Sequence, residues 1–351
     1  MRHHRQPFHA ETMQLGSQHI SRSTVSASIR FAAAILLGAV AQLAVAAGVS
    51  TTVIPAAGKD PALEVLVWSP CASNPSELRM GPYLVRAAKD CPVLGRSLPL
   101  IVISHGQGGT RLGHHDTATA LADAGFLVAS FNHPGDTFGD DSLASEVRIF
   151  ESRPADVSRV ITHMLEQWKG RQLVDAQSIG VFGFSRGGYT ALAVAGAEPS
   201  RSASIERFCG SWRSLLIPIC RKLGNEAVAL TARADSRVKA VVAADPLNLF
   251  AASSLKAVNV PVQLWASELG GDGVELAHTQ LIQRSLPKPP EYHIANGAGH
   301  FIFLAPCTEL FRKEARRVCE DPSGISREAW HASMNQAVSA FFTNKLRSGI
   351  R

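Results

Sequence analysis

The sequence of 351 residues has little charge and few aromatic side chains: 18% of its residues are charged and 7% are aromatic, while 46% are hydrophobic. So little charge beside so much apolar material excludes a disordered chain, and it suffices to bury a sheet covered on both faces. Dense runs of lysine or arginine, internal repeats and low-complexity tracts are all absent. We therefore expect a globular protein with no nucleic-acid partner.

The sequence also lacks a convincing membrane span. The uncharged run at residues 31–47 is shorter than the ~20 apolar residues that a span needs, and it is rich in alanine. It follows Arg22 and Arg30 and contains Ala44-Val45-Ala46, the small-x-small pattern of a signal-peptidase site. This pattern predicts a signal peptide over residues 1–46 and an exported protein, periplasmic or secreted. Cleavage removes four arginines and one glutamate, which lowers the formal charge from +6 to +3.

Closely spaced cysteines are missing too. No two of the six are separated by the short spacing that zinc sites use, and none is flanked by a suitably spaced histidine pair, so we expect no metal. An even number of cysteines in an exported chain indicates disulfides. The sequence permits several connectivities. Nearest-neighbour pairing would staple three separate excursions between core elements, and it predicts the pairs Cys71–Cys91, Cys209–Cys220 and Cys307–Cys319.

Strands alternate with helices along most of the chain. Apolar runs predict strands at residues 62–68, 98–104, 126–131, 178–184, 238–244, 262–266 and 292–295. Helical patterns lie near residues 118–122 and at 155–168, 189–197 and 326–346. Residues 69–99 form an excursion that contains proline and cysteine, and the polar, irregular residues 199–235 form an insertion above the sheet. The alternation predicts a single α/β domain over residues 47–351, a three-layer sandwich whose mostly parallel sheet binds ligands at the carboxyl ends of its strands.

The sharpest motif is Gly183-Phe184-Ser185-Arg186-Gly187, between an apolar strand and a helix. Such a tight strand-to-helix turn needs glycine at its flanking positions, and it lifts the serine hydroxyl out of the sheet at a helix N-terminus. A serine in a glycine-rich turn is usually only a turn residue. With a strand before it and a helix after it, however, Ser185 is predicted to be a nucleophile.

A serine nucleophile needs a histidine base that lies late in the chain for this architecture. His300 is the best candidate because it sits in a loop of small residues after a predicted strand. His278 and His331 fall on predicted helices and His293 falls within a strand, so packing or surface roles suit these three better. We therefore expect His300 to be the base.

The base in turn needs a carboxylate to orient it. Asp272 lies in a glycine-rich loop just past the strand at residues 262–266, where this architecture usually carries its acid. Asp245 ends the preceding strand in Ala244-Asp245-Pro246, and Glu268 is a weaker third candidate. Each aspartate has an ordinary alternative role as a turn or cap residue. Loop position favours Asp272 over Asp245.

The attacked carbonyl becomes an oxyanion, which two backbone N–H groups would stabilise. One is expected from Arg186, directly after the nucleophile. The other is expected from the glycine-rich turn at residues 105–109, at Gln107, where glycines let the backbone approach the substrate. That turn matches neither of the glycine-rich patterns that bind nucleotide phosphates.

These motifs together resemble the α/β-hydrolase superfamily, and more narrowly its predicted dienelactone hydrolases, near platelet-activating-factor acetylhydrolases and bacterial polyester hydrolases. The resemblance rests on SHGQGG (104–109), GFSRGG (183–188), ADP (244–246), VPVQLWASE (260–268) and GAGHFIFLAPC (297–307). It implies Ser185 as nucleophile, His300 as base, and Gln107 and Arg186 as oxyanion donors. The acetylhydrolase-like pattern puts the acid at Asp245, and the polyester-hydrolase-like pattern puts it at Asp272. Dienelactone hydrolases have a cysteine nucleophile where this chain has serine, so their substrate does not carry over.

The expected activity is hydrolysis of a small-molecule or lipid-like carboxylic ester through an acyl-enzyme on Ser185, without a cofactor. Two alternatives remain open. An amidase or peptidase would use the same three residues, and a non-catalytic binding protein could be built on the same scaffold.

Overall fold

The computed structural model describes residues 46–209, 218–225 and 230–347. The predicted signal peptide, apart from Ala46, lies outside these residues. Part of the predicted insertion lies outside them as well.

Ten strands form one sheet in the described part of the chain. They are β1 (Ala46–Ile54), β2 (Leu63–Cys71), β3 (Ser76–Met80), β4 (Tyr83–Lys89), β5 (Leu98–Ser104), β6 (Leu127–Phe131), β7 (Val174–Phe184), β8 (Val238–Ala244), β9 (Val262–Ser267) and β10 (Glu291–Ala295). Across the sheet their order is β10-β9-β8-β7-β5-β6-β2-β1-β4-β3.

The described helices flank the sheet. They are α1 (His115–Asp123), α2 (Ile149–Glu166), α3 (Arg186–Val194), α4 (Arg201–Phe208), α5 (Pro218–Leu223), α6 (Leu276–Ser285), α7 (Glu309–Glu314), α8 (Arg316–Cys319) and α9 (Arg327–Leu346). One apolar cluster joins α2, α3 and α6 to one face of the sheet, and a second joins α1 and α9 to the other face. The predicted three-layer sandwich is therefore confirmed.

Every neighbouring pair from β10 through β6 is parallel. Strand β5 is buried along its whole length, as are the last seven residues of β7. Continuous apolar runs of this kind suit strands that are covered on both faces, and the sequence therefore located them well. The parallel arrangement brings the carboxyl ends of β5, β7, β8 and β9 to one edge, where the motif residues follow.

At the other end of the sheet, β2 was predicted but β1, β3 and β4 were not. Strands β1 and β2 pair antiparallel, β2 also pairs antiparallel with β6, and β3 and β4 form an antiparallel pair. The predicted excursion at residues 69–99 contains β3 and β4. Strand β3 has no buried residue, and partly or fully exposed residues interrupt the buried ones in β4, so the two strands carry no continuous apolar run.

All six cysteines pair as nearest neighbours. The Cα atoms are 6.1 Å apart in Cys71–Cys91, 5.5 Å in Cys209–Cys220 and 5.8 Å in Cys307–Cys319. The predicted pairing is confirmed, and three such pairs indicate an oxidising compartment. In the described part of the chain, no helix is both long and apolar enough to cross a membrane.

Candidate active site

Ser185 occupies a strained turn between β7 and α3. Its backbone has φ 56° and ψ −119°, outside the regions that most residues adopt. A Cβ on Gly183 would overlap the carbonyl oxygen of Gly187, and a Cβ on Gly187 would overlap that of Ser104. Both flanking glycines are therefore required by close backbone contacts. The turn leaves the Ser185 side chain only partly buried at the carboxyl edge of the sheet.

His300 lies opposite Ser185, at the start of a short 3₁₀ helix (His300–Phe303) that follows β10. Its Nε2 is 2.9 Å from Ser185 Oγ. The backbone N–H of His300 donates to the carbonyl oxygen of Gly270 at 2.8 Å, which ties its loop to the one after β9. His278 and His331 lie on α6 and α9, and His293 lies on β10, as the sequence predicted.

Asp245 is the carboxylate that contacts His300. It follows β8 directly, is fully buried, and its Oδ2 lies 2.7 Å from His300 Nδ1. Ser267 donates its backbone N–H to Asp245 Oδ1 at 3.0 Å and its hydroxyl to Oδ2 at 2.5 Å. Both carboxylate oxygens are thus held by hydrogen bonds, and the ring of His300 is held with them.

The preference for Asp272 over Asp245 was wrong as to which side chain meets His300. Asp272 forms an ion pair with Arg317 at the surface, where 39% of its side chain is exposed. The cause is the course of the loop, because Gly271 and Val274 exchange backbone hydrogen bonds and leave Asp272 at the tip of a turn. Glu268, the third candidate, accepts a hydrogen bond from the N–H of Gly297 at 2.6 Å and does not contact the ring.

The turn after β5 passes close to the serine. A Cβ on Gly106 would lie 3.2 Å from the Cβ of Ser185, so a larger residue would crowd the elbow. Within the described residues, the backbone N–H groups of Gln107 and Arg186 have no acceptor. The two expected oxyanion donors are therefore without an acceptor there, one in the turn after β5 and one at the start of α3.

A buried polar cluster lies behind this turn, and the sequence analysis missed it. Asp136 follows β6, Arg153 lies on α2, and both side chains are fully buried and joined at 2.7 Å. Asp136 also accepts a hydrogen bond from Arg186 at 2.9 Å. The signal that could have found the cluster is the polar segment at residues 132–136, directly after a buried strand.

Burial shifts the pKa values of several titratable groups near this cluster. Burial, with Arg153 nearby, holds the pKa of His105 and of His133 well below the usual range, so both rings are neutral at physiological pH. Burial raises the pKa of Asp156 to about 7 in spite of the neighbouring Arg159 and Arg153. His133 lies between Ser104 Oγ at 2.9 Å and Asp156 Oδ2 at 3.1 Å.

A second buried cluster supports the segment that carries His300. His331 on α9 contacts Asp116 Oδ2 at 2.6 Å through Nδ1 and the carbonyl oxygen of Ile302 at 2.7 Å through Nε2. Burial alone would raise the pKa of Asp116, but the charge and hydrogen bond of His331, with help from Asn335, hold it below its ordinary value. His331 therefore packs the 3₁₀ helix and does not face Ser185.

Away from Ser185, the described part of the chain has a cavity but no cluster of metal ligands. The described residues contain no group of three or more histidine, cysteine, aspartate or glutamate side chains that could hold a metal ion. A cavity of about 370 Å³ lies between the end of β1 and α2, lined in part by Ile54, Arg159 and His163. It shares no residue with the site around Ser185.

The sheet order, the strained serine after β7 and the aspartate and histidine from later loops are those of the α/β-hydrolase fold. The α/β hydrolase fold family model matches residues 99–205, which hold the turn after β5, the elbow and α3. The chain has the α/β-hydrolase fold.

Among solved structures, a ferulic acid esterase from Streptomyces cinnamoneus has a TM-score of 0.59 and 20% identity, covering 88% of this chain and 92% of its own. This structural similarity supports the α/β-hydrolase fold of the chain. A dienelactone hydrolase from Anabaena variabilis has a TM-score of 0.47 and 17% identity, covering 85% and 99% of the two chains, which is too weak to bear on substrate. A protein from Nocardia uniformis subsp. tsuyamanensis, named "Putative esterase NocK", is 26% identical over 135 residues. That match spans 38% of each chain.

Proposed function

We propose that this protein is a serine hydrolase that cleaves carboxylic esters through an acyl-enzyme on Ser185. The observation that carries the proposal is the continuous chain of contacts from Ser185 Oγ to His300 Nε2 and from His300 Nδ1 to Asp245 Oδ2. The partial similarity to a protein named as an esterase favours an ester over other acyl substrates.

Each residue has a distinct role in the proposed reaction. His300 accepts the proton of Ser185 as the hydroxyl oxygen attacks the ester carbonyl, and Asp245 stabilises the imidazolium that forms. The backbone N–H groups of Arg186 and Gln107 bind the oxyanion, and each such donor contributes about 3 kcal/mol to the transition state. His300 then gives its proton to the departing alcohol, which leaves the acyl group on Ser185.

Deacylation repeats these steps with water. His300 removes a proton from water, the hydroxide attacks the acyl-enzyme, and the proton returns to Ser185 as the carboxylic acid leaves. The balance needs only ester and water, so the proposed reaction has no role for a cofactor.

Two exposed apolar side chains favour a lipid-like ester. Phe138 is 81% exposed and Leu269 is 62% exposed, the highest values for large apolar residues in the described part of the chain. The N–H of Phe138 donates to the carbonyl oxygen of Gly109 in the turn after β5, and Leu269 precedes Gly270, which contacts His300. Apolar surface on loops linked to the turn after β5 and to the His300 loop would bind an apolar acyl or alcohol group.

Replacing Ser185 with alanine tests the proposed function. We expect Ser185→Ala to abolish ester turnover and labelling by a fluorophosphonate while the far-UV circular dichroism spectrum stays that of the wild type. If Ser185→Ala kept turnover within tenfold of wild type, Ser185 would not be the nucleophile. A wild-type protein that neither turns over a panel of esters nor takes the label would instead be a binding protein on this scaffold.

The same panel separates an esterase from an amidase or peptidase. Matched ester and anilide substrates with one acyl group should differ in kcat/KM by several orders of magnitude in favour of the ester. Comparable values for the two would assign the protein to the amide hydrolases.

A further inference from the structure

The two residues that carry the proposed oxyanion donors are also joined through their side chains. Arg186 Nη2 donates to Gln107 Oε1 at 2.6 Å. Residues 106–109 are Gly-Gln-Gly-Gly, so Gln107 has the only side chain through which this part of the turn can be held. The contact therefore connects the first residue of α3 to the loop across the substrate position.

The other end of the Arg186 guanidinium is anchored in the protein interior. Its Nη1 donates to Asp136 Oδ2 at 2.9 Å and to the carbonyl oxygen of Ala144 at 3.1 Å. The Arg186 residue is only 5% exposed and the Asp136 residue is 0% exposed, and the guanidinium lies over the ring of Phe150. A cation buried in this way needs a charged partner, and Asp136 supplies it.

Arg153 holds the preceding residue of the same turn. It shares Asp136 Oδ2 with Arg186, donates through Nη2 to the carbonyl oxygen of His105, and contacts Thr190 Oγ1 at 3.3 Å through Nε. Burial lowers the pKa of Arg153 to about 10, so it remains a cation at neutral pH. One buried carboxylate thus sets the position of two arginines, and these hold His105 and Gln107.

The cluster of Asp136, Arg153 and Arg186 contains features that lower the stability of the fold. Within the described residues, Asp136 Oδ1 and Arg186 Nε are buried without a hydrogen-bond partner, and such atoms cost free energy. Two arginines share one carboxylate oxygen, and one of them also contacts the side chain of Gln107. Both features suit a cluster that serves the reaction at some cost to folding.

We propose that Arg186 is a positioning residue, whose side chain clamps Gln107 to buried Asp136 and thereby fixes the spacing of the two oxyanion N–H groups. The inference rests on the proposed ester hydrolysis and adds the device that holds its oxyanion hole. Glycine-rich turns move easily, and a donor displaced by a fraction of an ångström loses much of its effect on the transition state. The clamp therefore acts on kcat and leaves ground-state binding unchanged.

Gln107→Ala is the cleanest test because it removes the acceptor, keeps the backbone N–H and changes an exposed side chain. We expect kcat to fall about 10- to 100-fold with KM within threefold of wild type. The matched control is Gln177→Ala, an exposed glutamine near the opposite end of β7, which should keep wild-type kinetics.

Arg186→Lys and Arg186→Met separate the clamp from simple loss of charge. The Arg186→Lys variant keeps a cation beside Asp136 but cannot reach Asp136 and Gln107 together. We therefore expect Arg186→Lys to lower kcat less than Arg186→Met does. Adding Gln107→Ala to Arg186→Lys should cost less than threefold more, because the contact is already lost. If the kcat losses of Gln107→Ala and Arg186→Lys combined in full in the double variant, the proposed clamp would be refuted.

Binding of an alkyl trifluoromethyl ketone gives a readout that a purely structural role would not move. Its adduct with Ser185 carries an oxyanion, so Gln107→Ala should weaken inhibition by the same factor by which it lowers kcat/KM. A Gln107→Ala variant with kcat within twofold of wild type, or with a change in KM alone, would refute the proposal. These results stand apart from failure of the proposed function, which would appear as turnover by Ser185→Ala.

Discussion

Asp245 meets His300 because of where its strand ends. Strand β8 lies between β7 and β9, so a residue directly after it sits between the serine turn and the loops that follow β9 and β10. Asp245 has φ 44°, an unusual value that turns its side chain away from the direction of the strand. Ser267 at the end of β9 then holds both carboxylate oxygens.

Asp245→Asn should lower kcat by about 10⁴ with little change in KM, because asparagine favours the wrong tautomer of His300. Asp272→Asn is the matched control, since it changes an exposed aspartate of the neighbouring loop, and we expect kcat within about threefold of wild type. Steady-state kinetics on a soluble ester measure both. A larger loss of kcat for Asp272→Asn than for Asp245→Asn would assign the acid to Asp272, in the loop after β9.

The buried carboxyl of Asp156 predicts a pH-dependent stability. Its pKa of about 7 in the folded protein lies above the ordinary value near 4, so folding favours its protonated form. Its contribution is therefore fully present below about pH 4 and is lost as the pH rises through about 7. This adds an alkaline loss of stability to the acid loss expected from the neutral histidines nearby.

Asp156→Asn should remove that alkaline loss. From pH 5 to pH 8, we expect the Tm of the wild type to fall by about 5 °C more than that of the variant. Titratable groups that do not contact Asp156 are common to both proteins and cancel in the difference. Differential scanning calorimetry measures it, with exposed Asp141→Asn as control. Parallel curves for wild type and Asp156→Asn would mean that Asp156 is ionised throughout.

The elbow shows how two elements constrain a turn. The end of β7 and the start of α3 approach each other so closely that Gly183 and Gly187 cannot carry a side chain. The contact between Gly187 and Ser104 also joins this turn to the end of β5. The position of Ser185 is therefore determined by the packing of two strands and a helix.

The loops that carry Phe138 and Leu269 predict a preference for apolar esters. Phe138→Ser and Leu269→Ser should each raise KM for p-nitrophenyl decanoate by about three- to tenfold, because contact with apolar surface is lost. KM for p-nitrophenyl acetate should hardly change. Val53→Ser is the control, since Val53 is 55% exposed on β1 and has no contact with the site. Equal changes for both substrates would argue against the apolar rim.

The three cysteine pairs affect the whole domain. Each closes a loop of 11 to 20 residues, and a closure of that length stabilises a fold by about 3 kcal/mol in the chain-entropy model. One pair joins the end of α4 to α5 in the insertion, one joins the segment before α7 to the end of α8, and the third joins β2 to the segment after β4. The domain is therefore built for an oxidising compartment.

We propose that the protein is exported and that its signal peptide is removed after Ala46. Mass spectrometry of protein recovered from the cell envelope or the medium should find a chain that begins near Ala47 and no alkylatable thiol without reductant. Retention of residues 1–46, or six reactive cysteines, would contradict export.

The sequence by itself determined the central sheet and the elbow, while it left the pairing of the cysteines to the structure. Buried parallel strands need continuous apolar runs, and the serine turn admits only glycine at its flanks, so both leave strong local patterns. Strands β3 and β4 left no such continuous pattern, because β3 has no buried residue and partly or fully exposed residues interrupt the buried ones in β4. His300 was found because its loop is rich in small residues.

Only the tertiary structure decided which aspartate meets His300 and what lies beneath the oxyanion turn. Asp245 and Asp272 each follow a strand, and the local sequence does not tell which side chain points inward; a turn at Gly271 and an ion pair with Arg317 carry Asp272 away. The cluster of Asp136, Arg153 and Arg186 is assembled from three separate segments. Contacts between residues so distant in the chain depend on how the elements pack, and no short-range pattern records them.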